Sequence, residues 1–183
     1  TYLNIMDQQV QVLFLEGEPY WDTTFLQRSL MRNDKMNVSS VVQFTADKAR
    51  TVRKDPKQGE LKMPASADEW SRYGVVILGR GIERLLNAQQ VRALEGYVRD
   101  AGGTVIFSRG PAFSGALAKN DLEPVLWSPQ PTAGVRLEVA REGQSTPPFR
   151  ALAGAPGGIE AQPELIAGRA VVEKKPLSAT LAT

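Results

Sequence analysis

Over residues 10–107, short apolar runs alternate with amphipathic stretches. Residues 10–15 (VQVLFL) are almost continuously apolar, the pattern of a strand buried on both faces of a parallel sheet. The turn Glu16-Gly17-Glu18-Pro19 follows, and residues 20–33 read as a helix. Trp21, Phe25, Leu26 and Leu30 recur near one face of it, and Pro19 suits its first turn. Residues 38–44 (VSSVVQF), rich in β-branched side chains, predict a second strand. Residues 74–78 (GVVIL) predict a third strand and residues 104–107 (TVIF) a fourth. Between those two, Asn87 caps a helix that runs to Ala101. Val91, Leu94, Tyr97 and Val98 give it an apolar face, Gln90 completes the cap, and Gly102-Gly103 stops it. The alternation predicts an α/β fold with a mainly parallel sheet and helices on both faces.

Two regions break this rhythm. Residues 45–66 are polar and irregular and read as a long surface loop, with a short helical turn at residues 68–73 behind it. Beyond residue 110 the pattern weakens. Residues 111–122 suggest a short helix, residues 134–140 (GVRLEVA) an exposed strand, and residues 143–163 a Pro/Gly-rich loop. Val171-Val172 and residues 179–182 suggest closing strands, giving an irregular, β-rich C-terminal part. No repeat and no second domain is legible, so residues 1–183 are read as a single domain, a fragment of a longer protein.

Composition narrows the chemistry more than the fold. The chain has 183 residues and a net charge of +2, from 22 basic and 20 acidic side chains. That balance gives no reason to expect nucleic acid or an anionic membrane as partner. No apolar run approaches the roughly 20 residues of a spanning helix. There is no cysteine and no histidine. The chain therefore has neither a thiolate nucleophile nor the usual general base near neutral pH, and it lacks the preferred zinc and copper ligands. No cofactor is indicated.

Open α/β sheets bind ligands beyond the carboxyl ends of their strands, which directs attention to three loops. The first carries Glu16, Glu18, Tyr20, Trp21 and Asp22, the second Arg80, and the third Ser108, Arg109 and Gly110. Arginine forks suit carboxylate or phosphate, so these residues are candidates for capturing a polar ligand or peptide. The plainer alternative is that Glu16 or Glu18 forms a structural ion pair with Arg80 or Arg109. Gly79-Arg80-Gly81 is too short for a phosphate-binding fingerprint and reads as a tight turn.

Three segments together carry a family resemblance: VLFLEGEPYWDTTFLQRSL (residues 12–30), GVVILG (residues 74–79) and NAQQVRALEGYVRDAGGTVIF (residues 87–107). With KPLSATLA (residues 175–182), they resemble the glutamine amidotransferase-like domains of large bacterial membrane-anchored proteins, often found beside von Willebrand factor A-type domains. The resemblance implies a three-layer flavodoxin-like fold and a place on the periplasmic side of the membrane, with a cytoplasmic place as the alternative. In active class I amidotransferases the fourth strand leads into an elbow bearing a cysteine that works with a histidine and a glutamate. The matching residues here are Ser108, Arg109 and Gly110, so the elbow is expected to be vestigial and the chain not to be an enzyme.

The expected function is thus recognition or scaffolding, with a protein or peptide, or another domain of the same parent chain, as partner. Membrane attachment is expected only through segments outside this sequence. Two alternatives stand beside it. One is a residual hydrolase using Ser108 with the carboxylates Glu16, Glu18 and Asp22, with or without a metal ion; the other is a purely structural packing module.

Overall fold

A computed structural model describes residues 9–159 and 161–183. The chain divides into two compact units, residues 1–123 and 124–183, where the sequence reading draws one.

The first unit is a five-stranded sheet in the order β3-β2-β1-β4-β5. Its strands are β1 (Val10–Glu16), β2 (Met36–Thr45), β3 (Lys48–Arg53), β4 (Val75–Leu78) and β5 (Thr104–Phe107). β1, β2, β4 and β5 are mutually parallel, and β3 is antiparallel to β2. Without β3, the order of the parallel strands is consistent with a flavodoxin-like arrangement. Alternation along β1 divides the core. Leu13 and Leu15 face a cluster with Trp70 of α2 (Ala67–Trp70) and Val91, Leu94 and Tyr97 of α3 (Ala88–Ala101). Val12 and Phe14 face the opposite cluster with Val38, Val42 and Ile77, against which Leu26 and Leu30 of α1 (Trp21–Arg32) pack. Both faces of β1 are therefore dry, which is why its run reads as continuously apolar. Each fully buried leucine contributes about 1.5–3 kcal/mol.

Several expectations are corrected here. Pro19 precedes the cap of α1 rather than entering its first turn. Trp21 and Phe25 do not share the buried face; both are exposed. At about 100° per residue, Phe25 stands a quarter-turn from Leu26, and of the four residues expected on that face only Leu26 and Leu30 pack against the sheet. Residues 45–66 are not one loop. A two-residue turn, Ala46-Asp47, joins β2 to β3, and the Gln43 side-chain amide donates to the carbonyls of Thr45 and Ala46 across that turn. The helix at Asn87 is as expected: its side chain accepts from the amides of Gln89 and Gln90, and Gly102 ends the helix at φ +67°.

The second unit pairs β6 (Val125–Val135) with β7 (Leu165–Lys174), antiparallel and with two register shifts. Residues 134–140 were expected as a strand, yet the observed strand lies mainly before them and carries Pro129 and Pro131. A two-stranded sheet has only edge strands, where proline is tolerated. Residues 111–122 hold only a single 3-10 turn, Gly115–Leu117. Inside the Pro/Gly-rich stretch, Pro147 and Pro148 open α4 (Pro147–Ala153), since proline suits a helix's first positions. The expected strand at residues 179–182 is reduced to one bridge, Val139 with Ala182.

Candidate functional site

β1 and β4 lie side by side, and the connections leaving them diverge to opposite faces of the sheet. In open α/β folds this divergence opens a crevice at the strands' carboxyl ends. Here the crevice is stitched shut. The amides of Gly17 and Glu18 both donate to the Arg80 carbonyl, at 2.8 and 3.1 Å. A Cβ on Gly17 would lie 1.8 Å from the Gly81 carbonyl oxygen, so only glycine allows the two backbones to meet.

Glu16, the last residue of β1, is fully buried at the centre of this seam. Its carboxylate accepts from the amides of Glu18 and Arg80, both at 3.0 Å, from the Thr23 hydroxyl at 3.3 Å, and from the Arg109 guanidinium at 3.1 Å. Four donors answer the desolvation of a buried carboxylate, which without partners would be prohibitive. Gly79 is required beside it, because a Cβ there would fall 2.1 Å from a Glu16 carboxylate oxygen.

Arg109 extends the seam to the loop after β5. It also pairs with Asp22 at 3.3 Å, donates to the Glu18 carbonyl at 2.8 Å, and lies 5.7 Å from the centre of the Tyr20 ring. Glu18 pairs with Arg84 at 2.8 Å, and Arg84 donates to the Gly17 carbonyl as well. Of the ion pairs weighed from sequence, Glu16 with Arg109 is present. Arg80 contributes its backbone, and among the described residues its side chain has no partner. Arg84 was missed; its only signal was its place in the turn after Gly81, opposite the Glu18 loop.

Ser108 does not sit on a strained elbow. Its backbone is not in the left-handed region; the positive φ in this loop belongs to Gly110, at +79°. The Ser108 hydroxyl donates to the Leu78 carbonyl at 3.2 Å, and its amide donates to the same oxygen. No lysine, arginine or carboxylate is hydrogen-bonded to it among the described residues. Nor is any group of three or more acidic side chains placed to hold a metal ion among those residues. A small cavity of about 220 Å³ remains beside the seam, lined by Phe14, Glu16, Asp22, Thr23, Leu26, Ser108 and Arg109.

Tyr20 and Trp21 lead out of the seam to a different kind of surface. Tyr20, Trp21, Phe25 and Phe44 are 61%, 65%, 61% and 58% exposed. Trp21 packs edge-on to Phe25 at 5.8 Å between ring centres and tilts against Tyr20 at 6.0 Å. Beside them is a groove of about 410 Å³, lined by Pro19, Tyr20, Trp21, Thr24, Gln27, Val42, Phe44 and Arg50 among others.

Fold and site together define an α/β domain with a mostly parallel sheet, a crevice at the strands' carboxyl ends locked by its own side chains, and an aromatic groove next to the lock. Comparison of the chain with protein-family models, curated proteins and solved structures returns no match.

Proposed function

We propose that the chain is a non-catalytic recognition domain with a three-layer flavodoxin-like fold, similar to the glutamine amidotransferase-like domains of bacterial membrane-anchored proteins and acting on the periplasmic side. The observation that carries the non-catalytic reading is the state of Ser108. Its hydroxyl is spent on a backbone carbonyl and is hydrogen-bonded to no base among the described residues, in a chain without cysteine or histidine. The seam supports the same reading, because the carboxylate and guanidinium best suited to chemistry neutralise each other. Recognition, rather than packing alone, is supported by the exposed aromatic group, in which Tyr20, Trp21 and Phe25 are clustered rather than scattered singly. Assays of ammonia release from glutamine and of nitrophenyl ester hydrolysis test this reading. The expected rates for the protein and for Ser108→Ala are equal and at the level of solvent; turnover that disappears in Ser108→Ala contradicts it.

A further inference from the structure

The groove beside Trp21 has three properties that together select an occupant. First, its walls are aromatic and preformed: Tyr20 and Trp21 on one side, Phe44 and Val42 on the other. Second, its charge is of one sign. Arg50 lines it, and Lys48 leaves the same face of β3 two residues earlier. Neither cation has a side-chain hydrogen bond or ion pair among the described residues, whereas the nearest carboxylate on α1, Asp22, is held by Arg109. Third, β3 is the end strand of its sheet. The backbone groups along its outer side are therefore offered to an incoming strand.

We propose that this groove binds an extended acidic segment of a partner protein. The segment lies along β3, places one aromatic or large aliphatic side chain between Trp21 and Phe44, and sets carboxylates against Arg50 and Lys48. A strand repeats its side-chain direction every second residue, and Lys48 and Arg50 are two residues apart on β3, so the recognised pattern is two acidic residues separated by one residue, with the apolar or aromatic residue two positions to one side. Oligosaccharides also stack on exposed tryptophan, but a free strand edge and unpaired cations answer a peptide's amides and carboxylates rather than neutral hydroxyls. Lysine and arginine on an edge strand also deter aggregation; that role alone would leave the aromatic walls without a purpose and would predict no binding.

This inference rests on the recognition reading and fails separately from it. A displayed library of random octapeptides is selected against the whole chain, and the enriched sequences are synthesised with a fluorescent label and titrated by anisotropy. Enrichment of two glutamates or aspartates at alternate positions beside an aromatic or large aliphatic residue is expected. Affinity should fall at least tenfold in Arg50→Glu and in Trp21→Ala, stay within threefold in Arg50→Lys, and weaken with added salt. Both positions changed, Trp21 and Arg50, are exposed, and unaltered circular dichroism confirms that each variant is folded. No enrichment, enrichment of basic or uncharged peptides, or binding indifferent to Arg50→Glu and Trp21→Ala overturns the proposal. So does saturable binding of neutral oligosaccharides quenching Trp21, or self-association in sedimentation that Trp21→Ala abolishes. Any of these results without hydrolysis removes the peptide groove and leaves the non-catalytic reading standing, whereas Ser108-dependent turnover removes the latter.

Discussion

Glu16 shows how one side chain decides the character of a site. In a crevice open to water, a carboxylate at the end of β1 would be free to act on a ligand; buried among four donors, it holds three loops together instead. Replacing one partner of such a pair strands the other. Glu16→Gln is expected to destabilise the protein by about 3–5 kcal/mol, measured by urea unfolding, with Glu16→Gln combined with Arg109→Met recovering part of the loss. At this scale the sequence was informative but ambiguous. It placed Glu16, Glu18, Asp22 and Arg109 at one edge, because strand ends are legible from apolar runs. It did not reveal that Glu18 takes Arg84 rather than Arg80, since that choice depends on which side chain the turn after Gly81 swings towards Glu18.

At the scale of elements, helices and strands with strong periodicity were readable, and weakly patterned ones were not. α3 has both a capping box and a glycine stop, and each works as read. The second glycine of the stop has its own reason. A Cβ on Gly103 would lie 2.1 Å from the Tyr97 ring, whose hydroxyl donates to the Tyr73 carbonyl and accepts from the Thr104 amide. Gly103→Ala should therefore cost about 1–3 kcal/mol by forcing that ring off its partners, read as a lower thermal midpoint with unchanged far-ultraviolet spectrum. β3 was missed because its hairpin turn is Ala46-Asp47, without the glycine or asparagine that usually marks a two-residue turn. β6 carries Pro129 and Pro131, which mark a segment as unlike a central strand; a two-stranded ribbon tolerates them, so the pattern of that segment did not announce a strand. Trp21 and Phe25 were misassigned to a core face because proximity in sequence to Leu26 and Leu30 hid their angular separation.

The whole molecule is uneven in how its parts are held. Among the described residues, every buried hydrophobic side chain belongs to residues 1–123. Residues 124–183 are built around a two-stranded sheet, and such a ribbon by itself is marginally stable in water. Hydrogen exchange followed by mass spectrometry should find β1 and β4 amides protected at close to the global unfolding free energy. Amides of β6 and β7 should exchange through local opening, at least a hundredfold faster. Equal protection in the two units would contradict this. The same unevenness explains why residues 124–183 carry no clear sequence pattern: without a dry face to cover, polar and apolar positions have no period to keep.

The proposed non-catalytic reading makes the carboxyl edge of this sheet a lock and not a reaction centre. Incubating the folded protein with a fluorophosphonate, which modifies only activated serine hydroxyls, and locating adducts by peptide mass spectrometry tests it most directly. Ser108 should remain unmodified; a stoichiometric adduct on Ser108 that forms in the folded protein, and not when the protein is unfolded before incubation, would contradict it.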